Sequence, residues 1–319
     1  MVSSETPQNV QDLILSSWAP KTREGYSCAL KKFGDYCLSV GIVDMKSASL
    51  QHGLGFLAYL FHTKKENYGS IATARSMLSA VLPMEGKTPF GKHPEVMRVM
   101  KGIFRQRPQL PRHTVMYDAN KVLAFFHSLP DNDELSLELL TKKLITLTGL
   151  LAGARAQTLV ATNIEFIHFE EDCMYIFISA ILKTTRPGRH QKPLVFKTFP
   201  DTKLCPVLCA RDYLQRVSDI RGQHKPLFLS YAAPHAPINT QTAARYMKSI
   251  LACSNIDITV FISAHSVRSA STSKANNLGM SLKDICQAAG WSSPHTFQRF
   301  YNLPIERNLG QEILNNYSS

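Results

Sequence analysis

The chain has 319 residues, of which 36 are lysine or arginine and 24 are acidic, which gives a formal charge of +12 and a pI near 9.4. Its hydrophobic content of 44% is typical of a packed globular protein and argues against wholesale disorder or a fibrous chain. No apolar run approaches the ~20 residues of a membrane-spanning helix, and the N-terminus lacks the pattern of a signal peptide. The basic excess indicates an anionic partner, most commonly nucleic acid, with solubility alone as the alternative.

The length predicts two domains, and the charge is unevenly divided between them. Residues 1–112 hold 15 lysines and arginines against 8 acidic residues, a net charge of +7. A basic run at 87–112 ends in the linker-like residues QLPRHT, so we predict domains at 1–112 and 113–319. The seven cysteines are odd in number and lack the paired spacing of a zinc site. We expect reduced, mostly buried thiols of an intracellular protein.

The first domain is predicted to be all helical. Thr22, Ser49 and Ser70 can each begin a helix, and a fourth helix is expected at about 94–104. Basic helix faces suit a DNA-clamping bundle, and a solvated surface explains them equally well. The candidate DNA contacts here are Lys87, Lys92, Arg98, Lys101, Arg105 and Arg107.

The second domain begins with helical patterns and then changes period. Helices are expected at 118–128 and 134–152. A β-rich run at 174–182, a Pro187-Gly188 turn and a run at 193–199 predict a β-hairpin, with a further short strand at 164–168. Helical patterns return at 205–217, 240–252, 265–277, 281–289 and 293–301. The predicted fold class is therefore mainly α with a small antiparallel β-sheet.

The last hundred residues combine several polar and aromatic groups at short spacings. His265 and Arg268 are three residues apart and share one helical face. Gly279 and Gly290 end short helices, Trp291 follows the second, and Tyr301 closes the last helix. An H-x-x-R pair or a C-terminal tyrosine is weak evidence alone. The tight glycine turns nevertheless allow these side chains to approach one another.

In order and spacing these residues resemble the tyrosine recombinase (phage integrase) family. That family is marked by an arginine, a hairpin lysine, His-x-x-Arg, Gly-His/Trp and a tyrosine about ten residues later. The matching residues are Arg155, Lys183, His265, Arg268, Gly290-Trp291 and Tyr301. The N-terminal helices resemble the family's core-binding domain. The run Lys183-Thr-Thr-Arg-Pro-Gly-Arg189 and the run Ser269–Lys274 look most like recombinases of DIRS-type retrotransposons and their eukaryotic relatives.

The resemblance implies site-specific DNA recombination, such as integration of a mobile element. Tyr301 would attack phosphorus, giving a covalent 3′-phosphotyrosine and a free 5′-hydroxyl. Arg155 and Arg268 would bind the phosphate by their guanidinium forks. His265 would donate to the phosphate or move a proton, Lys183 would protonate the leaving oxygen, and the Trp291 indole would donate one hydrogen bond. No ATP, metal or other cofactor is required.

Several assignments stay open. Lys192 lies in the same hairpin as Lys183, Tyr317 is a second C-terminal tyrosine, and Trp291 can also be read as a core residue. Thr158 stands where the family usually has an acidic residue that supports the first arginine. Further candidate DNA contacts are Arg186, Arg189, Lys192 and Lys274.

The resemblance also implies an assembly. We expect a C-shaped clamp on double-stranded DNA and a tetramer on two sites, with residues 302–319 passed to a neighbouring subunit. The DIRS-like features favour the nucleus over a bacterial cytoplasm, and no membrane is expected. The rival functions are DNA relaxation by a type IB topoisomerase and non-catalytic DNA binding on the same scaffold.

Overall fold

A computed structural model describes residues 6–82, 88–108, 116–182, 185–188, 191–259, 264–291 and 293–302. The chain divides into two compact units, Met1–Pro111 and Arg112–Ser319. In these ranges no helix is both long enough and apolar enough to cross a membrane. All seven cysteines carry free thiols and five of them are buried, as predicted.

The described part of the first unit is essentially helical. Its α-helices are α1 (Gln8–Ser16), α2 (Pro20–Ser39), α3 (Leu50–His62), α4 (Tyr68–Val81) and α5 (Pro94–Gln106). Helices α2–α5 bury one shared core around Phe33, Phe56 and Leu57. Helix α1 was not predicted from the sequence, and it contributes no buried residue to that core.

Local capping explains where these helices begin. Ser49 precedes α3, as predicted, and its N–H donates to Nδ1 of His52 at 3.0 Å. For α4 the cap is Asn67 rather than Ser70, because the Asn67 side chain accepts from the Ser70 N–H at 2.9 Å. The helix therefore begins three residues earlier than predicted, because Ser70 supplies the donor of the capping hydrogen bond and not the acceptor.

The second unit surrounds a buried helix. Its helices are α6 (Asn120–Ser128), α7 (Leu137–Leu151), α8 (Ala156–Val160), α9 (Pro206–Arg216), α10 (Thr240–Cys253), α11 (Ala264–Asn277), α12 (Leu282–Ala289) and α13 (Pro294–Phe300). Helix α7 packs against α9, α10 and α11 and is buried from Leu140 to Leu150 on nearly every side. It therefore fixes where the chain emerges next to α8 and α11.

The sheet is small and antiparallel, with order β1 (Ile167–Phe169), β2 (Cys173–Ile176), β3 (Leu194–Lys197) in the described residues. The predicted fold class is confirmed, but the run expected as a strand to residue 182 forms a strand only as far as Ile176, which lies opposite Leu194. Pro193 precedes Leu194 and has no N–H, so it cannot extend the β2–β3 ladder. Beyond Ile176, Phe177 and Ile181 are exposed by 46% and 85%.

Candidate active site

Arg155 is placed by the turn that ends α7. Gly153 adopts φ +53°, a left-handed conformation that glycine takes without steric cost. A Cβ there would lie 3.2 Å from Cγ2 of Thr272 on α11, so the turn and that helix approach closely. Two residues later Arg155 is the half-buried N-cap of α8, in an extended conformation. The turn thus presents Arg155 beside α11.

Arg268, on α11, is held from two sides. Its side chain is 2% exposed, and its two terminal nitrogens donate to the carbonyl oxygens of Gly153 at 2.5 Å and Ala289 at 2.6 Å. A guanidinium has five N–H groups, so these two bonds orient the fork and leave donors available. The α7–α8 turn and the end of α12 therefore set the position of Arg268.

Arg155 lies near enough to Arg268 for its positive charge to affect the pKa of Arg268. Burial, followed by the positive charge of Arg155, lowers the pKa of Arg268 to about 10, and interactions with Tyr301 oppose that fall. Arg268 still carries its charge at neutral pH, in a place where water solvates it poorly. A bound anion would relieve both the desolvation and the repulsion between the arginines.

Trp291 covers this guanidinium. Gly290 ends α12 in the left-handed conformation, φ +66°. The main-chain N–H of Trp291 then donates to the Cys286 carbonyl oxygen at 2.8 Å. The indole is 6% exposed, and Cζ of Arg268 lies 4.2 Å from the Trp291 ring centroid. Among the described residues, Nε of Arg268 and Nε1 of Trp291 are buried donors without a hydrogen-bond acceptor. Such donors are costly unless a ligand oxygen meets them.

Tyr301 follows α13 and completes the group. Its ring centroid lies 4.5 Å from that of Trp291 and 5.5 Å from Cζ of Arg268. Tyr301 is half-buried. The structure therefore brings together Arg155, Arg268, Trp291 and Tyr301, from four separate stretches of the chain.

Three of the remaining predicted site residues have side chains outside what the structure describes. His265 lies on α11 three residues before Arg268, and its side chain is outside what the structure describes, as are Lys183 and Tyr317. Lys192 is exposed. Its neighbour Gln191 lies so near the Trp291 turn that a Cβ on Gly290 would be 3.2 Å from the Gln191 amide nitrogen. The hairpin thus reaches the site, and the choice between the two lysines stays open.

Thr158 supports the turn without a carboxylate. It is 6% exposed on α8, and its N–H donates to the Arg155 carbonyl oxygen at 2.8 Å. It buries a hydroxyl and not a carboxylate, so no charge from this position offsets that of Arg155.

The predicted DNA contacts differ in what they touch. Arg107 donates to the carbonyl oxygens of Glu66 and Phe61 and stacks on the Phe61 ring, and Lys274 pairs with Asp118 at 3.2 Å. Lys87 and Arg189 lie outside the described residues. The exposed members are Lys92, Arg98, Lys101, Arg105, Arg186 and Lys192.

A cavity of about 480 Å³ lies between α2 and α4 and was not predicted from the sequence. Lys21 and Arg75 line it together with the hydroxyl-bearing side chains of Thr22, Tyr26 and Ser76. The two cations are 54 residues apart in the chain, and neither lies in the dense basic run. Only the packing of the two helices reveals them as one surface.

The described residues offer one cluster with metal-ligand chemistry, in the β1–β2 turn and at the first residue of β2. One ligand atom from each of Glu170, Asp172 and Cys173 lies within 4.8 Å of the others. Both carboxylates are exposed, and none of the three belongs to the candidate active site.

Comparison with known proteins identifies the family. The model of the phage integrase family matches residues 118–306, which include Arg155, His265, Arg268, Trp291 and Tyr301. No curated protein sequence matches the chain.

Solved structures share the fold. The XerH site-specific recombinase bound to a palindromic difH substrate has a TM-score of 0.60 at 15% identity, over 93% of this chain and 79% of that one. The Tn1549 transposon integrase with a circular intermediate DNA gives 0.59 at 13%, over 97% of both chains. A lambda integrase dimer bound to a COC′ core site gives 0.54 at 15%, over 94% and 96%. The family match and this shared fold agree: the chain belongs to the phage integrase family, the tyrosine recombinases that break and rejoin DNA.

Proposed function

We propose that Arg155, Arg268, Trp291 and Tyr301 form one active site, in which Tyr301 cleaves a DNA strand at a phosphate held by the other three. The observation that carries this is the pair of buried, unpaired donors in the described site, Nε of Arg268 and Nε1 of Trp291, next to the Tyr301 ring. An oxygen-rich anion satisfies both donors and neutralises the two arginines.

The cleavage step transfers the phosphate from DNA to tyrosine. The Tyr301 hydroxyl oxygen forms a bond to phosphorus as the bond from phosphorus to the 5′-oxygen breaks. The phenolic proton passes to an acceptor, for which His265 is the candidate, and the 5′-oxygen takes a proton from the hairpin lysine, Lys183 or Lys192. Rejoining is the same step reversed by a 5′-hydroxyl from the other duplex, so the energy of the broken bond is kept in the phosphotyrosine.

The phosphate is stabilised most where its charge grows. Two guanidinium forks and one indole N–H meet the non-bridging oxygens, and removing one such donor costs ~10²–10³ in rate in comparable sites. Trp291 cannot shuttle a proton, so its contribution is the hydrogen bond and the packing on Arg268.

Cleavage is proposed to occur in cis. Tyr301 and Arg268 of the same chain are already 5.5 Å apart, from ring centroid to Cζ. A mixture of Arg268→Ala and Tyr301→Phe proteins should therefore form no covalent adduct. An adduct in the mixture would show that one subunit supplies the tyrosine for another subunit's phosphate.

A nicked suicide substrate tests the proposed function. The short product beside the scissile phosphate diffuses away, so wild-type protein should be trapped as a covalent complex on a denaturing gel. Tyr301→Phe should abolish trapping, and Tyr317→Phe should leave it unchanged. A wild-type protein that never forms the adduct on its native site would support binding without catalysis. Exchange between two sites, rather than relaxation of one supercoiled circle, then separates recombination from topoisomerase activity.

We further propose assembly as a tetramer on two sites through residues 302–319. A lambda integrase tetramer bound to a Holliday junction supports this by analogy of fold. Deleting residues 304–319 should leave binding to a single half-site intact and abolish the four-subunit complex in analytical ultracentrifugation. A truncated protein that still assembles with four subunits would place the interface elsewhere.

The type of mobile DNA element that this recombinase acts on, and the cell compartment in which it acts, are proposed from the sequence alone. The hairpin run at 183–189 and the run Ser269–Lys274 support a recombinase of a DIRS-type or related eukaryotic mobile element, acting in the nucleus. Imaging of the tagged protein in a host that carries such an element tests the compartment, and exclusion from the nucleus would count against it.

A further inference from the structure

The segment that carries Tyr301 is hydrogen-bonded to α11 by side chains that do not belong to the proposed active site. Ser273 is fully buried, and its hydroxyl donates to the Tyr301 carbonyl oxygen at 2.6 Å. One turn further along the helix, the Asn276 amide donates to Oδ1 of Asn302 at 3.1 Å. Helix α11 therefore grips the main chain of Tyr301 and the side chain of the next residue.

The other side of the same segment is fixed by α13. The N–H groups of Tyr301 and Asn302 both donate to the Phe297 carbonyl oxygen at 2.8 Å. Phe297 is fully buried in a cluster with Trp291 and Ile285. The main chain of Tyr301 is thus bonded at its N–H by α13 and at its carbonyl by α11.

Helix α11 also carries Arg268, five residues before Ser273. One rigid element therefore sets both the guanidinium that is to bind the phosphate and the backbone from which the nucleophile extends. Because in-line attack requires reacting atoms ~3–3.5 Å apart, a small shift of that backbone is expensive in rate even where it costs little stability.

We infer that Ser273 is a positioning residue for the nucleophile, with Asn276 as a second and weaker tie. The inference rests on the proposed role of Tyr301 in cleavage. Ser273 acts through the Tyr301 backbone and touches no reacting atom. Its hydroxyl keeps the phenol within reach of a phosphate bound at Arg268.

The test compares Ser273→Ala with a matched variant, Ser254→Ala. Ser254 is also buried in the second unit, 5% exposed, and its hydroxyl also donates to a backbone carbonyl, that of Ile250, at 2.8 Å. Each variant loses one hydrogen bond from a buried serine hydroxyl to a backbone carbonyl, so both should lower the midpoint of denaturation. With saturating nicked DNA, Ser273→Ala should form the covalent adduct at least tenfold more slowly at unchanged DNA affinity. Ser254→Ala should stay within twofold of wild type, and Asn276→Ala should fall between them.

A spectroscopic readout separates this inference from the proposed function. The chain has two tryptophans, so in a Trp18→Phe background the tryptophan fluorescence comes from Trp291, which packs on the Tyr301 ring. Ser273→Ala should change this fluorescence, and Ser254→Ala should not. If wild-type protein forms no adduct, the proposed function fails while this signal still tests the tie. If Ser273→Ala forms the adduct as fast as Ser254→Ala does, or leaves the Trp291 signal unchanged, Ser273 does not position Tyr301.

Discussion

Arg268 shows how a residue can be found from sequence while its environment cannot. The H-x-x-R spacing selects it, and the chemistry of a guanidinium suggests a phosphate. Its two carbonyl acceptors, however, lie 115 and 21 residues away in the chain, on Gly153 and Ala289. Only the packing of α7, α11 and α12 brings them together.

Arg268→Lys should reduce the rate of adduct formation by about 10²–10³, because lysine keeps the charge but has all its donors on one nitrogen and lacks the planar fork that spans the two carbonyls and a phosphate. The matched control is Arg221→Lys. Arg221 is also buried, 7% exposed, and donates to the carbonyl oxygens of Pro226 and Leu227. The control should lose stability and retain cleavage per folded molecule. An equal loss of cleavage in both variants would show that Arg268 acts only through folding.

A second buried cation has a structural role. Lys143 is fully buried in α7, and its Nζ donates to Oδ1 of Asn132 at 2.7 Å. Asn132 in turn donates to the Asp212 carboxylate at 2.7 Å. Burial lowers the pKa of Lys143, while burial raises the pKa of the Cys209 thiol to about 12. The sequence does not indicate that Lys143 and Cys209 are buried near each other, since each lies in an ordinary helical pattern.

These two shifts should appear as opposite dependences of stability on pH. Between the lowered pKa of Lys143 and 10.5 the unfolded chain binds more protons, so this residue makes the free energy of unfolding rise with pH. Between 9.0 and about 12 the folded chain keeps the Cys209 proton that the unfolded chain loses, so that contribution falls with pH. In urea titrations from pH 8 to 11, Lys143→Met should make the free energy of unfolding fall more with pH than in wild type. Cys209→Ala should make it fall less, and parallel curves would contradict both assignments.

At the scale of elements, the sequence predicted best those helix ends that depend on a single residue. Ser49 begins α3, and Gly279 and Gly290 end α11 and α12, because a cap or a left-handed turn needs particular residue types. It predicted poorly where a partner decides. The strand expected to reach residue 182 ends at Ile176 because its neighbour β3 begins only at Leu194, after Pro193. Helix α1 buries no residue that could have marked it.

The α7–α8 turn is the element whose change should affect both folding and cleavage. Gly153→Ala places a Cβ at φ +53°, which costs roughly 1–2 kcal/mol, and 3.2 Å from Cγ2 of Thr272. It should also displace the carbonyl that orients Arg268. Gly222→Ala is the control, because Gly222 has the same φ of +53° with nothing within 4 Å of the added Cβ.

Chemical denaturation and the adduct assay distinguish these two glycine variants. Both should lose stability from the backbone strain, and Gly153→Ala should lose more. Only Gly153→Ala should slow adduct formation, by tenfold or more. Equal behaviour in both assays would mean that the turn does not set the position of Arg268.

At the scale of the whole molecule, the charge of +12 indicated an anionic partner but not its position. Arg98 and Lys101 are exposed on α5, as the sequence predicted, whereas Lys21 and Arg75 form a basic surface visible only in the fold. Each phosphate contact contributes about 0.9 to the slope of log affinity against log salt.

Replacing Arg98 and Lys101 together by alanine should therefore reduce that slope by about 2, as measured by fluorescence anisotropy over a range of salt. The double variant Lys21→Ala, Arg75→Ala measures the same slope for the cavity between α2 and α4. An unchanged slope in the α5 pair, beside a reduced one in the other pair, would move the predicted DNA contact from α5 to the cavity.

Peptide mapping of the trapped complex tests the central claim most directly. Trypsin releases residues 300–307, in which Tyr301 is the only tyrosine, and separates them from residues 308–319, which hold Tyr317. Mass spectrometry after nuclease digestion should find a nucleotide joined through its 3′-phosphate to the 300–307 peptide, with a free 5′-hydroxyl on the other DNA product. A nucleotide on any other peptide, or a 5′-phosphate link, would contradict the assignment of Tyr301 as the nucleophile.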